Sequence, residues 1–110
     1  MNFYIGDSID EIDEQDVSVE FSDELIDFIY KMSGRVSFDM SKLYKIDPYD
    51  DVEVSKNDLP QIVEICKYIL DSALLQDYEK PDEGRQMLQD LLEIIKKATI
   101  RELGLVSIGD

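Results

Sequence analysis

The stretch Leu105-Val106-Ser107-Ile108, near the end of the chain, predicts a β-strand because it is short, apolar and rich in β-branched residues. Two stretches near the beginning of the chain are candidates to pair with it. They are residues 2–5 and residues 17–21, and the second alternates apolar and polar side chains as a half-buried strand does. We therefore expect the chain to close on itself through a small sheet formed by its terminal segments.

The first helical patterns follow directly after residue 21. Residues 22–33 predict a helix whose N-cap is Ser22 and whose end is Gly34 in a left-handed conformation. Residues 39–46 predict a short second helix. The stretch Val52-Glu53-Val54 predicts either a very short strand or an extended link.

The two longest apolar stripes at helical spacing lie in the second half of the chain. They predict a helix over residues 59–76, capped by Asp58, and a helix over residues 82–103, ended by Gly104. The connection between them is short, which favours an antiparallel pair. We expect one α+β domain over residues 1–110, with three to four helices, two of them long and antiparallel, packed with the small terminal sheet.

The charge of the chain excludes several classes of partner. Among 110 residues there are 26 Asp and Glu against 11 Lys and Arg, which gives a net charge of -15. A surface that neutralises phosphates needs clustered basic residues, and here they are scattered. No uninterrupted apolar stretch approaches the length of a membrane span, about 18 residues. We therefore expect neither nucleic acid nor a membrane as a partner.

The absence of histidine and the presence of only one cysteine limit the catalytic and metal-binding chemistry that the chain can perform. The chain contains no His, which removes the commonest general base and the commonest transition-metal ligand. Its single cysteine, Cys66, lies on an apolar stripe and is expected in the core, and one thiol supports neither an internal disulfide nor a thiolate zinc site. We expect a protein that is not an enzyme, has no cofactor or metal, and is located in the reducing cytoplasm.

The negative charge is concentrated at the beginning of the chain. Residues 1–24 contain nine acids and no base, so they carry -9, and the remaining 86 residues carry -6. Such a block is often a solvated tail. Here, however, isoleucines recur within it at helical spacing, and Ser8 and Glu11 have the spacing of a capping box. This pattern predicts a short ordered turn or helix with the acids on its outer face.

A second acidic stretch, Asp47-Pro48-Tyr49-Asp50-Asp51, predicts a turn. Tyrosines are enriched at binding hot spots, and Tyr49 is the one most expected to be exposed. The alternative is that each tyrosine covers an edge of the core. Neither acidic stretch has the ligand spacing or the central glycine of an EF-hand calcium loop, so we do not expect a calcium site.

The stretches Leu43-Tyr44-Lys45-Ile46-Asp47-Pro48-Tyr49-Asp50-Asp51 and Leu105-Val106-Ser107-Ile108-Gly109-Asp110 resemble small acidic immunity proteins of bacterial polymorphic or contact-dependent growth inhibition toxin systems. The resemblance covers residues 43–110, and the family pattern often has glycine where Asp50 stands. It implies an inhibitor without enzymatic activity that binds a cognate toxin in the producing cell. It does not imply which residues contact the toxin.

Two functions are compatible with these observations. The first is inhibition of a protein toxin with a basic domain, because complementary charge speeds the association of two proteins. The alternative is an acidic nucleic-acid mimic or regulatory adaptor that sequesters a DNA-binding protein. The oligomeric state stays open. The residues expected to contact the partner are Asp7, Asp10, Glu11, Asp13, Glu14, Asp16, Glu20, Asp47, Tyr49, Asp50 and Asp51.

Overall fold

The computed structural model of this protein describes residues 1–13 and 15–109. Within them the fold is α+β, as the sequence predicts, with helices packed against an antiparallel sheet. The elements, in chain order, are β1 (Asn2–Ile5), β2 (Ser18–Glu20), α1 (Asp23–Met32), α2 (Ser41–Tyr44), β3 (Val52–Val54), α3 (Leu59–Asp71), α4 (Pro81–Ile100) and β4 (Leu105–Ile108).

The sheet has the order β2-β1-β4-β3, and every neighbouring pair is antiparallel. The predicted C-terminal strand is therefore an inner strand, paired on one side with residues 2–5 and on the other with Val52-Glu53-Val54. Residues 17–21, the other candidate partner, instead pair with β1 and form an edge of the sheet. Residues 52–54 form a strand rather than an extended link because they pair with the side of β4 that β1 does not occupy.

The helices cover one face of this sheet and share a single core with it. α4 packs on β1 and β2, and α3 packs on α4. Cys66 belongs to this core, as predicted, and burial raises the pKa of its thiol to about 12. The core side chains of the long helices are Leu59, Ile62, Ile65, Cys66 and Ile69 in α3 and Leu88, Leu91, Ile94, Ile95 and Ala98 in α4.

Both glycine-based predictions of helix ends are wrong. After α1 the chain continues into a 3₁₀ turn, Ser33–Arg35, and Gly34 does not adopt a positive φ. α4 ends at Ile100, three residues before the predicted end, and the residue with a positive φ is Glu102, at 58°. Beyond α4 the left-handed conformation is therefore taken by a polar residue and not by Gly104.

The ends of α3 also differ from prediction. The helix stops at Asp71 rather than at residue 76, and Ser72 donates from its hydroxyl to the carbonyl of Ile69 while accepting from the amide of Leu74. At the other end the side chain of Asp58 makes no capping hydrogen bond. Hydroxyl bonds to nearby backbone groups compete with the helix ladder, which explains the early stop.

Gly104 has a different role, set by close packing between backbones. A Cβ atom at this position would lie 2.3 Å from the carbonyl oxygen of Val54. The amide of Gly104 donates to Asp7 Oδ1 at 2.8 Å, and its carbonyl accepts from the amide of Gly6 at 3.0 Å. The turn between α4 and β4 therefore lies directly against β3 and the end of β1.

The strand register defines two ends of the sheet. Asn2 pairs with both Glu20 and Ile108, which places these residues at one end. Ile5 pairs with Leu105 at the opposite end, about 10 Å away at ~3.3 Å per residue. The loop after β1 leaves from the Ile5 end, whereas the turn before β3 arrives at the Ile108 end.

Candidate functional site

The two acidic stretches lie at opposite ends of the sheet. We call residues 7–13 and 15–17, which join β1 to β2 at the Ile5 end, the acidic loop. It contains a 3₁₀ turn, Ile9–Glu11, in agreement with the predicted turn. The predicted capping box does not form, because the side chain of Ser8 makes no capping hydrogen bond. The amide of Ile9, the first residue of the 3₁₀ turn, donates to Glu53 Oε2 at 3.0 Å.

Two carboxylates of the acidic loop bond to the segment that follows α4. Asp7 accepts from the amide of Gly104 at 2.8 Å. Asp16 Oδ2 accepts from Arg101 Nη1 at 2.9 Å, and this bond lowers the pKa of Asp16 below its ordinary value of 3.8. Because the pKa is lowered in the folded state, the stabilisation is present above about pH 3.8 and is lost as the pH falls through the lowered pKa.

The other carboxylates of the acidic loop are exposed. Asp10 and Glu11 lie on the 3₁₀ turn, and Asp13 accepts from the amide of Gln15 at 2.9 Å while its side chain faces solvent. Glu14 lies outside the described residues. Asp10, Glu11 and Asp13 are thus the carboxylates in the described part of this loop that bond to no other element of the fold, and the predicted contact with a partner stays a prediction.

The turn at residues 47–51 is organised by its own aspartates at the Ile108 end. Asp47 Oδ1 accepts from the amide of Tyr49, and Asp50 Oδ1 from the amide of Asp51. Asp51 Oδ1 accepts from the amide of Gly109, which fixes the turn to the end of β4. All three aspartates are exposed, as a contact surface requires.

Tyr49 is exposed, as predicted, with 67% of its surface accessible. Its hydroxyl donates to Asp23 Oδ2 at 2.8 Å, which joins the turn to the first residue of α1. This bond lowers the pKa of the Asp23 carboxyl below its ordinary value of 3.8.

Tyr49 forms one wall of a surface groove of about 370 Å³, which we call the tyrosine groove. Tyr30, 58% exposed, and Tyr44 pack edge to face in it, with ring centroids 5.3 Å apart. The residues that line the groove are Asp23, Glu24, Ile26, Asp27, Tyr30, Tyr44, Pro48 and Tyr49.

The acidic surface extends beyond this groove. A second groove, of about 410 Å³, shares Asp23 and Glu24 with the first and is also lined by Glu20 and Glu83. Lys80 also lines this second groove, 3.9 Å from Glu83. The first turn of α1 thus separates two acidic grooves.

The structure divides the predicted contact residues into two groups. Glu20, Asp47, Tyr49, Asp50 and Asp51 lie at the Ile108 end, and the described members Asp7, Asp10, Glu11, Asp13 and Asp16 lie in the acidic loop. Apart from Tyr49, sequence reasoning missed the acidic and tyrosine residues of the groove, which are Asp23, Glu24, Asp27, Tyr30 and Tyr44. No local pattern of the sequence indicates that residues 23–30 face residues 44–49 across a groove.

The described residues contain no group of three or more metal-ligating side chains positioned to hold an ion. Within the same part of the chain, no helix has both the length and the apolar character needed to cross a membrane. Comparison with known proteins gave no match of the chain to a family model, a curated protein or a solved structure.

Replacing Tyr49 by Phe tests whether the link between the turn and α1 forms in solution. The change removes the hydroxyl that lowers the pKa of Asp23, so we expect this pKa to rise toward its ordinary value of 3.8. Carboxyl-detected NMR titration measures it. The matched control is Tyr30→Phe, which removes another hydroxyl of the same groove and leaves the pKa of Asp23 unchanged. An Asp23 pKa that stays the same in Tyr49→Phe would show that the link is absent.

Proposed function

We propose that this protein is an immunity protein, which acts in the cytoplasm of a toxin-producing bacterium by binding a basic toxin domain. The proposal is supported chiefly by the surface at the Ile108 end of the sheet, where exposed tyrosine rings lie next to carboxylates. Aromatic rings supply much of the contact energy in protein interfaces, and surrounding charges select the partner and speed its approach. The resemblance of residues 43–110 to immunity proteins points to the same class of function.

The net charge of -15 also supports the proposal, because few of the acidic side chains are paired with basic ones. Five ion pairs are formed among the described residues, all between partly exposed side chains, such as Lys31–Asp27 at 2.9 Å. Exposed pairs of this kind contribute at most about 1 kcal/mol each. Most of the acidic side chains therefore remain available to attract a basic surface, and a basic cleft that acts on nucleic acid is one such surface.

The test requires the toxin domain encoded next to this gene. Expressed alone, that domain should arrest bacterial growth, and co-expression of the intact chain should restore it. The association rate of the two purified proteins should fall by about tenfold or more between ~0.01 and ~0.15 M salt, because the screening length shortens from about 30 Å to about 8 Å. Stopped-flow fluorescence measures this rate.

Two variants with equal charge change locate the attraction. Reversal to lysine of Glu20, Glu24 and Asp27, which line the two grooves at the Ile108 end, should slow association more than reversal of Asp71, Asp90 and Glu93, which lie on α3 and α4. Equal slowing would mean that only net charge matters. A neighbouring gene product that is harmless and unbound would refute the immunity function, and specific capture of host DNA-binding proteins would favour the nucleic-acid mimic.

A further inference from the structure

The tyrosine groove has the size and walls of a binding site for one side chain and its neighbours. Its volume, about 370 Å³, is near the lower end of the range for small-molecule pockets, ~300–1,000 Å³. Tyr30 and Tyr49 are more than half exposed. Large aromatic rings left open to water on both sides of a groove are characteristic of interaction surfaces.

The charge of the lining selects the chemistry of the occupant. Of the eight lining residues, three are acidic and three are tyrosines, and none is basic. The hydrogen bond from the Tyr49 hydroxyl further favours the ionised form of Asp23, whose pKa is lowered. Asp27 already contacts Lys31, but both side chains are at least 60% exposed, so a cation bound in the groove can compete with this pair.

We infer that the tyrosine groove binds an arginine side chain presented by a basic protein partner. A guanidinium group stacks on aromatic rings, here those of Tyr30 and Tyr44, and forms paired hydrogen bonds to a carboxylate, for which Asp27 and Glu24 are placed. Lysine carries the same charge but is compact and strongly hydrated, and it lacks the planar donor pair. Arginine is therefore preferred over lysine.

The arrangement of the groove also explains the position of Tyr49. Its hydroxyl is already bonded to Asp23, so its ring is held across the groove while one carboxylate oxygen of Asp23 is occupied. Asp47 orders the turn by accepting from the amide of Tyr49. A wall that is ordered in advance loses less conformational entropy when a ligand binds.

Short peptides test the groove without the toxin. The probe is acetyl-Ala-Arg-Ala-amide, compared with the same peptide carrying citrulline, the uncharged analogue of arginine, and with the lysine peptide. Titration of the intact chain followed by NMR should give saturable shifts centred on the rings of Tyr30, Tyr44 and Tyr49. Affinity should fall about tenfold or more for citrulline, which loses the charged hydrogen bonds, and by a smaller factor for lysine.

Two variants with the same charge change serve as test and control. Glu24→Gln with Asp27→Asn should weaken arginine binding about tenfold, whereas Asp71→Asn with Glu93→Gln, both exposed on other helices, should leave it within about twofold. The inference is overturned if arginine and citrulline bind equally, if the shifts spread over the acidic loop, or if both variants weaken binding equally.

This inference rests on the proposed function only in taking the occupant from a basic protein. The two can fail separately. If the peptides do not bind in the groove, the arginine site is refuted while rescue from a toxin remains a valid result. If the peptides bind as expected and no toxin is neutralised, the immunity function is refuted and the arginine site stands.

Discussion

Replacing Gly104 by Ala should destabilise the protein by about 3 kcal/mol, a large share of the 5–15 kcal/mol that stabilises a typical domain. The added Cβ would lie 2.3 Å from the carbonyl oxygen of Val54 and 3.1 Å from the amide nitrogen of Lys56. Both are backbone atoms, so no side-chain rotation relieves the clash. Relief requires β3 to move away from β4, which weakens the ladder that pairs Val54 with Leu105.

Urea denaturation followed by circular dichroism measures this loss, and the melting temperature should fall by about 15 °C at ~5 °C per kcal/mol. The matched control is Gly34→Ala. A Cβ there meets no atom within 4 Å and Gly34 does not adopt a positive φ, so stability should be unchanged or up to about 1 kcal/mol higher. Equal stability of the two variants would contradict the close approach of the α4–β4 turn to β3.

Replacing Phe21 by Ala should destabilise the protein by about 3–5 kcal/mol, the range for deletion of a buried aromatic ring. Phe21 is fully buried and packs edge to face on Phe3, with ring centroids 6.0 Å apart. Its amide donates to the carbonyl of Met1 at 2.9 Å, and the amino group of Met1 donates to its carbonyl at 3.2 Å. Phe21 therefore anchors the connection between β2, which ends at Glu20, and α1, which begins at Asp23.

The comparison for this variant is Phe38→Ala, the same chemical change at a ring that is 36% exposed. Phe38 stacks on Tyr68 at 4.6 Å, and its loss should cost about 1 kcal/mol. Both values come from urea denaturation monitored by tyrosine fluorescence. Similar losses for Phe21 and Phe38 would mean that Phe21 does not anchor the β2–α1 connection in solution.

Residues of the sheet and of its connections position the candidate site. The turn at residues 47–51 is attached through Gly109, where a Cβ would lie 2.4 Å from the amide nitrogen of Asp50. This contact depends on β4 lying next to β3, and that pairing depends on Gly104. The tyrosine groove is thus a product of the sheet topology, although most of its walls belong to helices and a turn.

Part of the candidate site was accessible from the sequence. The turn residues and the exposure of Tyr49 follow from local chemistry, because aspartates next to Pro48 accept hydrogen bonds from nearby amides and favour a solvated turn. The hydrogen bonds of Asp7 and Asp16 to distant parts of the chain could not be predicted from the sequence. Their partners, Gly104 and Arg101, are 97 and 85 residues away in sequence, and no local pattern encodes such a contact.

The sequence by itself determined the class of fold, the faces of the helices and most strands, because apolar periodicity and capping residues act within a few positions. It also determined that the protein is strongly acidic and contains no histidine. Only the tertiary structure decided which strands are neighbours, and therefore that the acidic loop and the turn at residues 47–51 lie at opposite ends of the sheet. It also brought Asp23, Tyr30 and Tyr49 together in one groove, since long-range packing, which no short window of sequence contains, sets those distances.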